Sequence, residues 1–280
     1  NGVYDLKSYN TDYTRLNELM PGESDSLRDY DEGCILLRSG VNLRGESRDG
    51  VILRWYSSSD AEGALCALGK KWSVTNVYIK NMTITAQSGY MEYPVRLFNS
   101  AYGTGFVKDI VLDSVVVEKF NDRGFRIESV EDIWLYKCIA RETDHPDNAY
   151  GFEAYGANDF DQYETRHITF ELCEAIGPNM RHGFIVQDDA HHITVDRCYT
   201  VSNWFGTFEN HNSGEHHVEY RNCVVEFPRS EPIKLLGAGY NWVHHCSIIN
   251  ANDGKTIVDS SSPNQIEYNR FISTTTERYE

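Results

Sequence analysis

Apolar and polar residues alternate with a period of two along much of the chain, in short segments that recur at regular intervals. Asp132-Ile133-Trp134-Leu135-Tyr136-Lys137-Cys138, His167-Ile168-Thr169-Phe170-Glu171-Leu172-Cys173, His192-Ile193-Thr194-Val195-Asp196-Arg197-Cys198 and His217-Val218-Glu219-Tyr220-Arg221-Asn222-Cys223 are four copies. Such alternation puts successive side chains on opposite faces of an extended backbone and predicts half-buried strands. The same frame catches residues 76–82 and 109–115 before them, and 242–246 and 265–271 after them. Its anchor position reads Met82, Val115, Cys138, Cys173, Cys198, Cys223, Cys246 and Phe271, with most steps 23 to 25 residues long.

A second short strand follows in most copies. Its inward column reads Phe125, Phe152, Phe184, Phe208, Ile233 and Ile257, and Gly124, Gly151 and Gly183 precede the first three. One unit of this size cannot bury its own hydrophobic face, whereas stacked copies build a continuous core. The expected fold is all-β: a single right-handed parallel β-helix of eight or more coils of 23–25 residues. It would fill residues 32–280, with residues 1–31 as an N-terminal cap region. Helical periodicity is absent apart from a short stretch near Thr11 to Met20.

The repeat resembles the pectin-lyase-like superfamily of parallel β-helices over about residues 32–275, and Cys34 to Glu46 is similar to that superfamily's opening coil. Asn179-Met180-Arg181-His182-Gly183 resembles the Asn-Phe-Arg-His-Gly stretch of family-6 polysaccharide lyases. That likeness implies that Arg181 belongs to the proton-abstraction machinery, beside His182. It also implies a Lys one coil earlier and carboxylates that hold calcium. Here Glu153 stands near the carboxylate position, and Tyr155 and Asn158 occupy the neighbourhood where the Lys is missing. The Asp-Pro-His-Asp signature of mannuronan epimerases is absent. Residues Asp144-His145-Pro146-Asp147 hold the same types in another order.

If the Phe column points inward, the next residue in each coil points outward: Arg126, Glu153, Ile185, Glu209 and Lys234. Two places on come Glu128, Tyr155, Gln187, His211 and Leu236. Stacked about 4.8 Å apart, these make one patch, either a sugar-binding groove or a solvated face. The candidate catalytic residues are Arg181, His182, Tyr155 and Glu153. The candidate substrate-binding residues are Arg126, Glu128, Tyr150, Gln187, Glu209, His211 and Lys234. Strict alternation turns Arg181 outward and His182 inward, unless a turn before the strand breaks it. Long insertions at residues 143–150 and 156–166 would wall the groove.

Three further groups carry two readings each. His167, His192 and His217, with His191 and His216 beside them, suit either a metal or a stacked turn ladder. Asp188-Asp189 suits either a hydrolase acid–base pair or a turn. Glu128 and Glu153, with Asp144 or Asp159, could share a calcium ion. Alternatively Arg126 pairs with Glu153 across the coils. No metal ligands are assigned, and calcium stays open.

Composition narrows the function. The 280 residues carry 42 acidic and 26 basic side chains, a net charge of −16. Gripping nucleic-acid phosphates or an anionic membrane needs the opposite balance. No run approaches 18 apolar residues, the length of a membrane-spanning helix. The seven Cys include no Cys-x-x-Cys pair, and their spacing suits buried free thiols stacked inside the coils. The expected function is a polysaccharide lyase that cleaves a uronic-acid-containing glycan by β-elimination. The alternatives are a glycoside hydrolase on the same groove, using Glu153 and Glu209 or the Asp pair, and a noncatalytic glycan-binding or tail-fibre β-helix. A polyanionic substrate requires a groove more basic than the chain as a whole. Such an enzyme is expected to be secreted or periplasmic.

Overall fold

The computed structural model describes residues 2–6, 35–55, 64–68, 73–99, 105–143, 148–156, 164–201, 203, 208–210, 216–236, 239–251, 257–259 and 263–273. Within them every pairing between strands is parallel. The strands form one seventeen-stranded and one nine-stranded sheet. From Arg123 on, each full coil gives one strand to the smaller sheet and two to the larger; before it, Val74–Ala86 and Val107–Glu118 each cover both of the larger sheet's positions as one strand. Arg123–Glu128, Glu131–Tyr136 and Ile139–Arg141 make one coil, and Tyr150–Tyr155, Arg166–Glu171 and Glu174–Ile176 make the next. The chain is an all-β parallel β-helix, as the alternation predicts. Gly2–Leu6 adds a rung by pairing with Val51–Trp55. The short helical stretch expected near Thr11 to Met20 lies outside the described residues. Among those residues, no helix is long and apolar enough to cross a membrane.

The corners show why so few residues suffice for each turn. Asn76, Asp109, Asp132, His167, His192, His217 and Tyr240 all have φ of 55–57°. In register with one another, they form one left-handed corner column. Asn81, Ser114, Lys137, Leu172, Arg197, Asn222, His245 and Tyr268 form a second. A left-handed residue bends the strand direction in a single step, and at Asn76, Asn81, Asp109 and Ser114 it does so within a continuous strand. Asn and Asp adopt that conformation readily, whereas Leu and Arg need the coils above and below to impose it.

The anchor column follows the second corner. Cys138, Cys173, Cys198, Cys223 and Cys246 are buried, and each thiol donates toward a carbonyl of the coil before it. Those carbonyls belong to Leu112, Leu135, Phe170, Val195 and Tyr220, at 3.3–3.6 Å. This contact explains why cysteine recurs there: it fits the space of a small apolar group and still satisfies a corner carbonyl. Burial pushes the thiols of Cys138 and Cys198 up. Cys34 lies outside the described residues.

The last anchor needs correction. Cys246 pairs in register with Asn269, not Phe271, because the final coil is two residues shorter than the expected frame. Asn269 closes the column with its amide. It accepts from Cys246 N at 2.9 Å and donates to Val243 O at 3.0 Å. Phe271 is half exposed.

Inside the nine-stranded sheet, Phe125, Phe152, Phe184, Phe208, Ile233 and Ile257 form one column. The four rings stack at 4.8, 4.6 and 5.2 Å. The column runs on through Val95, Leu65 and Ile35, which carry no aromatic signal.

Candidate functional site

The parity of the nine-stranded sheet breaks at its glycines. A Cβ on Gly124 would meet Val117 at 3.0 Å and Ala140 at 3.3 Å. One on Gly151 would meet Met180 at 3.0 Å and Ala175 at 3.1 Å. These are core side chains, so glycine and the following phenylalanine both face inward, and only glycine fits. The residue before each glycine is thereby returned to the outer side. Arg123, Tyr150 and His182 occupy that position in three successive coils. His182 therefore joins the outward groups, contrary to strict alternation, and its partner Glu209 comes from the outward column.

Two clusters result, joined through Arg123: one around Arg181 and one running from Glu153 toward Tyr155. Around Arg181, the Arg181 guanidinium lies 5.9 Å from the Tyr150 ring centroid, and the His182 ring meets Tyr150 edge-on at 4.9 Å. His182 Nδ1 stands 3.2 Å from Glu209 Oε2, and Lys234 Nζ stands 3.5 Å from Glu209 Oε1. His182 and Glu209 are each 1% exposed, while Arg181 and Lys234 are half-buried. Arg123 covers the other side of Tyr150, 4.2 Å from its ring.

The expected outward patch is in large part a buried ion network. Glu153, fully buried, accepts from Arg123 Nε at 3.2 Å and faces Arg126 at 3.4 Å. Glu128 accepts from Arg126 Nε at 2.8 Å and from Arg96 at 3.3 Å. Arg123 also pairs with Asp122. The guanidinium of Arg126 lies over Tyr93 and Tyr155, at 5.4 and 4.7 Å. Glu153, expected to be catalytic, and Arg126 and Glu128, expected to bind substrate, are thus engaged with one another. Arg96, Arg123 and Tyr93 were not foreseen. Arg96 could have been found by carrying the outward column one coil back, since it pairs in register with Arg126.

This network settles the fit of calcium. The ion needs six to eight oxygens. Arginine donors already take both oxygens of Glu153 and Oε2 of Glu128, so these residues do not form a calcium cage. Asp144 and Asp159 lie outside the described residues, as do His211, residues 144–147 of the first long insertion and residues 157–163 of the second. The Arg126–Glu153 bridge is present as expected, but buried rather than exposed.

Tyr155 is five residues from Tyr150 along one strand, roughly 16 Å at strand rise. It therefore does not join Arg181. Gln187 pairs beside it in register and is buried. Asp188 and Asp189, with φ of 52° and 64°, make the turn that follows. Burial, then Asp188, pushes the Tyr155 hydroxyl up to about 12. Burial and a 2.6 Å bond to Glu226 do the same for Tyr199. A hydroxyl with a raised folded value stabilises the native state fully below its unfolded value near 10, and loses that effect as pH climbs through the folded value. The thermal midpoint should therefore fall between about pH 10 and 12. The double variant Tyr155→Phe, Tyr199→Phe should flatten that fall, and an equally steep fall in both proteins would contradict the assignment.

The histidines stack as a ladder. His192 and His217 lie 4.8 Å apart at 5°, His191 and His216 4.8 Å apart at 18°, and Tyr240 continues the first row at 5.5 Å. Burial and the neighbouring imidazoles hold His192 and His216 below the usual histidine range.

No protein-family model matches the chain, and no curated protein sequence does. Among solved structures it is similar to the A-module of Azotobacter vinelandii mannuronan C-5 epimerase AlgE6. That match has a TM-score of 0.51 at 12% identity, over 89% of this chain and 87% of that one. The A-module of AlgE4 from the same organism matches at a TM-score of 0.44 and 15% identity, over 99% and 89% of the two chains. A GH136 lacto-N-biosidase from Eubacterium ramulus matches at 0.34 and 11%, over 84% and 54%. Only the first of these likenesses is strong enough to bear on architecture, and at that identity it bears on nothing else. By its fold, the chain is a parallel β-helix.

Proposed function

We propose that this chain degrades a uronic-acid-containing glycan by β-elimination at the Arg181 end of the nine-stranded sheet. The observation that carries the reading is the convergence of Arg181, Tyr150, His182, Glu209 and Lys234 from four successive coils. In a chain of net charge −16, the outer side of this sheet gathers Arg96, Arg123, Arg126, Arg181 and Lys234. Asp122, Glu128, Glu153 and Glu209 pair with four of these, so the local charge is near balance where the chain as a whole is strongly acidic, and a polyanion meets less repulsion here.

Elimination breaks the C5–H bond, forms a C4–C5 double bond and expels O4. Arg181, half-buried, neutralises the C5 carboxylate and so makes the C5 proton removable. His182 is the base: Glu209 holds Nδ1, which leaves Nε2 to take the proton. Because the imidazole is buried, the side chains over it, Tyr150 among them, must yield to the sugar. Tyr150 then protonates the departing O4. The hydrolase reading is weaker. A hydrolase needs one carboxyl as proton donor and another as base or nucleophile, whereas Glu153 and Glu209 both serve as partners for cations. The reading carries with it a secreted or periplasmic location.

Uronate polymers incubated with the protein should release unsaturated, ultraviolet-absorbing ends. Arg181→Ala should lower that rate at least about 100-fold while the circular dichroism stays that of the β-helix. Wild-type rates in the variant would remove Arg181 from the mechanism. New reducing ends without ultraviolet absorbance would favour hydrolysis.

A further inference from the structure

We propose that the histidine ladder on the seventeen-stranded sheet is a binding site for a borderline divalent transition cation such as zinc, with His191, His192 and His216 as its ligands. The site lies on His191–Asp196 and His216–Arg221, away from the Arg181 cluster on the other sheet. One ring nitrogen from each of the three residues falls within 4.8 Å of the other two. His191 Nδ1 and His192 Nδ1 are 2.6 Å apart, and His216 Nδ1 faces His217 Nδ1 at 2.7 Å. Two imidazole nitrogens at that distance repel each other unless a proton or a cation lies between their lone pairs.

The second observation concerns orientation. His191 Nε2 lies 2.9 Å from Glu164 Oε2. A carboxylate only accepts, so the proton sits on Nε2 and the lone pair of the neutral ring is on Nδ1, facing His192. A carboxylate on the far nitrogen of a ligating histidine is the usual way to fix tautomer and ring direction. His192 is held in place by its left-handed corner, with φ of 55°, and His216 by stacking on His191. Tetrahedral zinc with bonds of 2.0–2.1 Å needs nitrogens about 3.3 Å apart. The closest pair must open and the widest span must close, each through modest ring rotation. His192 is exposed and His216 half-exposed, so an ion can enter from solvent. Imidazole donors select zinc, copper or nickel over calcium, which prefers oxygen.

Such an ion would tie two neighbouring coils together, and binding to the native state alone raises the thermal midpoint. The intact protein, stripped with chelator, would be titrated calorimetrically with zinc chloride. Saturable binding of one ion at this site is expected, with a rise in midpoint, and calcium chloride should give neither. His192→Asn, which tolerates the left-handed corner, and His216→Gln should each weaken zinc binding at least about tenfold, and Glu164→Gln about tenfold. His245→Asn, at the separate His244–His245 pair, should leave it unchanged. Cobalt in place of zinc should show the visible bands of a nitrogen-ligated tetrahedral ion. Absence of saturable binding, or binding equally strong in the His192 and Glu164 variants, would overturn the proposal. A loss confined to His245→Asn would place the ion elsewhere and overturn it equally. Glu164 is exposed, so its variant carries the test should His216→Gln fail to fold.

Discussion

Glu153→Ala is expected to destabilise the protein by about 3–5 kcal/mol, the usual cost of removing one member of a buried ion network. Glu153 is fully buried, and its carboxylate lies between Arg123 and Arg126, whose side chains are only 18% and 13% exposed. Its removal leaves two guanidiniums facing a cavity, with Asp122 and Glu128 as their remaining carboxylates. Most of the cost is the desolvation of charges that have lost their counter-charge. Glu153→Gln keeps the shape and an acceptor, and should cost less than Ala. In thermal unfolding, Ala should lower the midpoint by roughly 6–15 °C. A midpoint within about 1 °C of wild type would mean that the network is solvated and weakly coupled, as a surface pair would be.

Phe184→Ala should cost a similar amount, about 3–5 kcal/mol, for a different reason. The ring is stacked 4.6 Å from Phe152 and 5.2 Å from Phe208, and Phe170 meets it edge-on at 5.8 Å. Close packing on every side leaves the coil little room to collapse into the vacated space, so the transfer loss and the cavity both count. Ile257 occupies the same column near its end and is only partly buried. Ile257→Ala should therefore cost distinctly less. Equal losses at the two positions would contradict a core that is tightest in its middle coils.

The coil repeat was legible because two columns carried unusual residues. The stacked phenylalanines and the spaced cysteines fixed the register over residues 125–208 and 138–246. Where the same columns hold ordinary aliphatics, as at Ile35, Leu65 and Val95, the pattern does not stand out from any other strand. The shift from Phe271 to Asn269 was hidden because Asn269 carries neither the thiol nor the apolar side chain of the column, whereas Phe271, two places on, is apolar. The corner columns were only half visible. Asn and Asp announce a left-handed turn, whereas Leu172 and Arg197 adopt it because the neighbouring coils dictate it.

The site was less legible than the fold. Alternation assigns Arg181 and His182 to opposite sides, and the inward-facing glycines reverse that for His182. Burial was the larger surprise. An outward column of Arg126, Glu153 and Glu128 reads as a wet groove, yet these side chains neutralise one another out of solvent. Charge type along a strand does not say whether a charge meets water or its opposite in the next coil, which lies 23 to 35 residues away in sequence.

The most direct test of the central claim is a mass balance on a uronate polymer degraded in deuterium oxide. Elimination predicts fragments whose masses sum to the parent with no water added. One new end should be unsaturated at C4–C5, and the uncleaved residues should carry no deuterium at C5. Fragments that have gained the elements of water would show hydrolysis. Deuterium at C5 of an intact chain would show epimerisation. Either result, or binding with no product at all, would contradict β-elimination at Arg181.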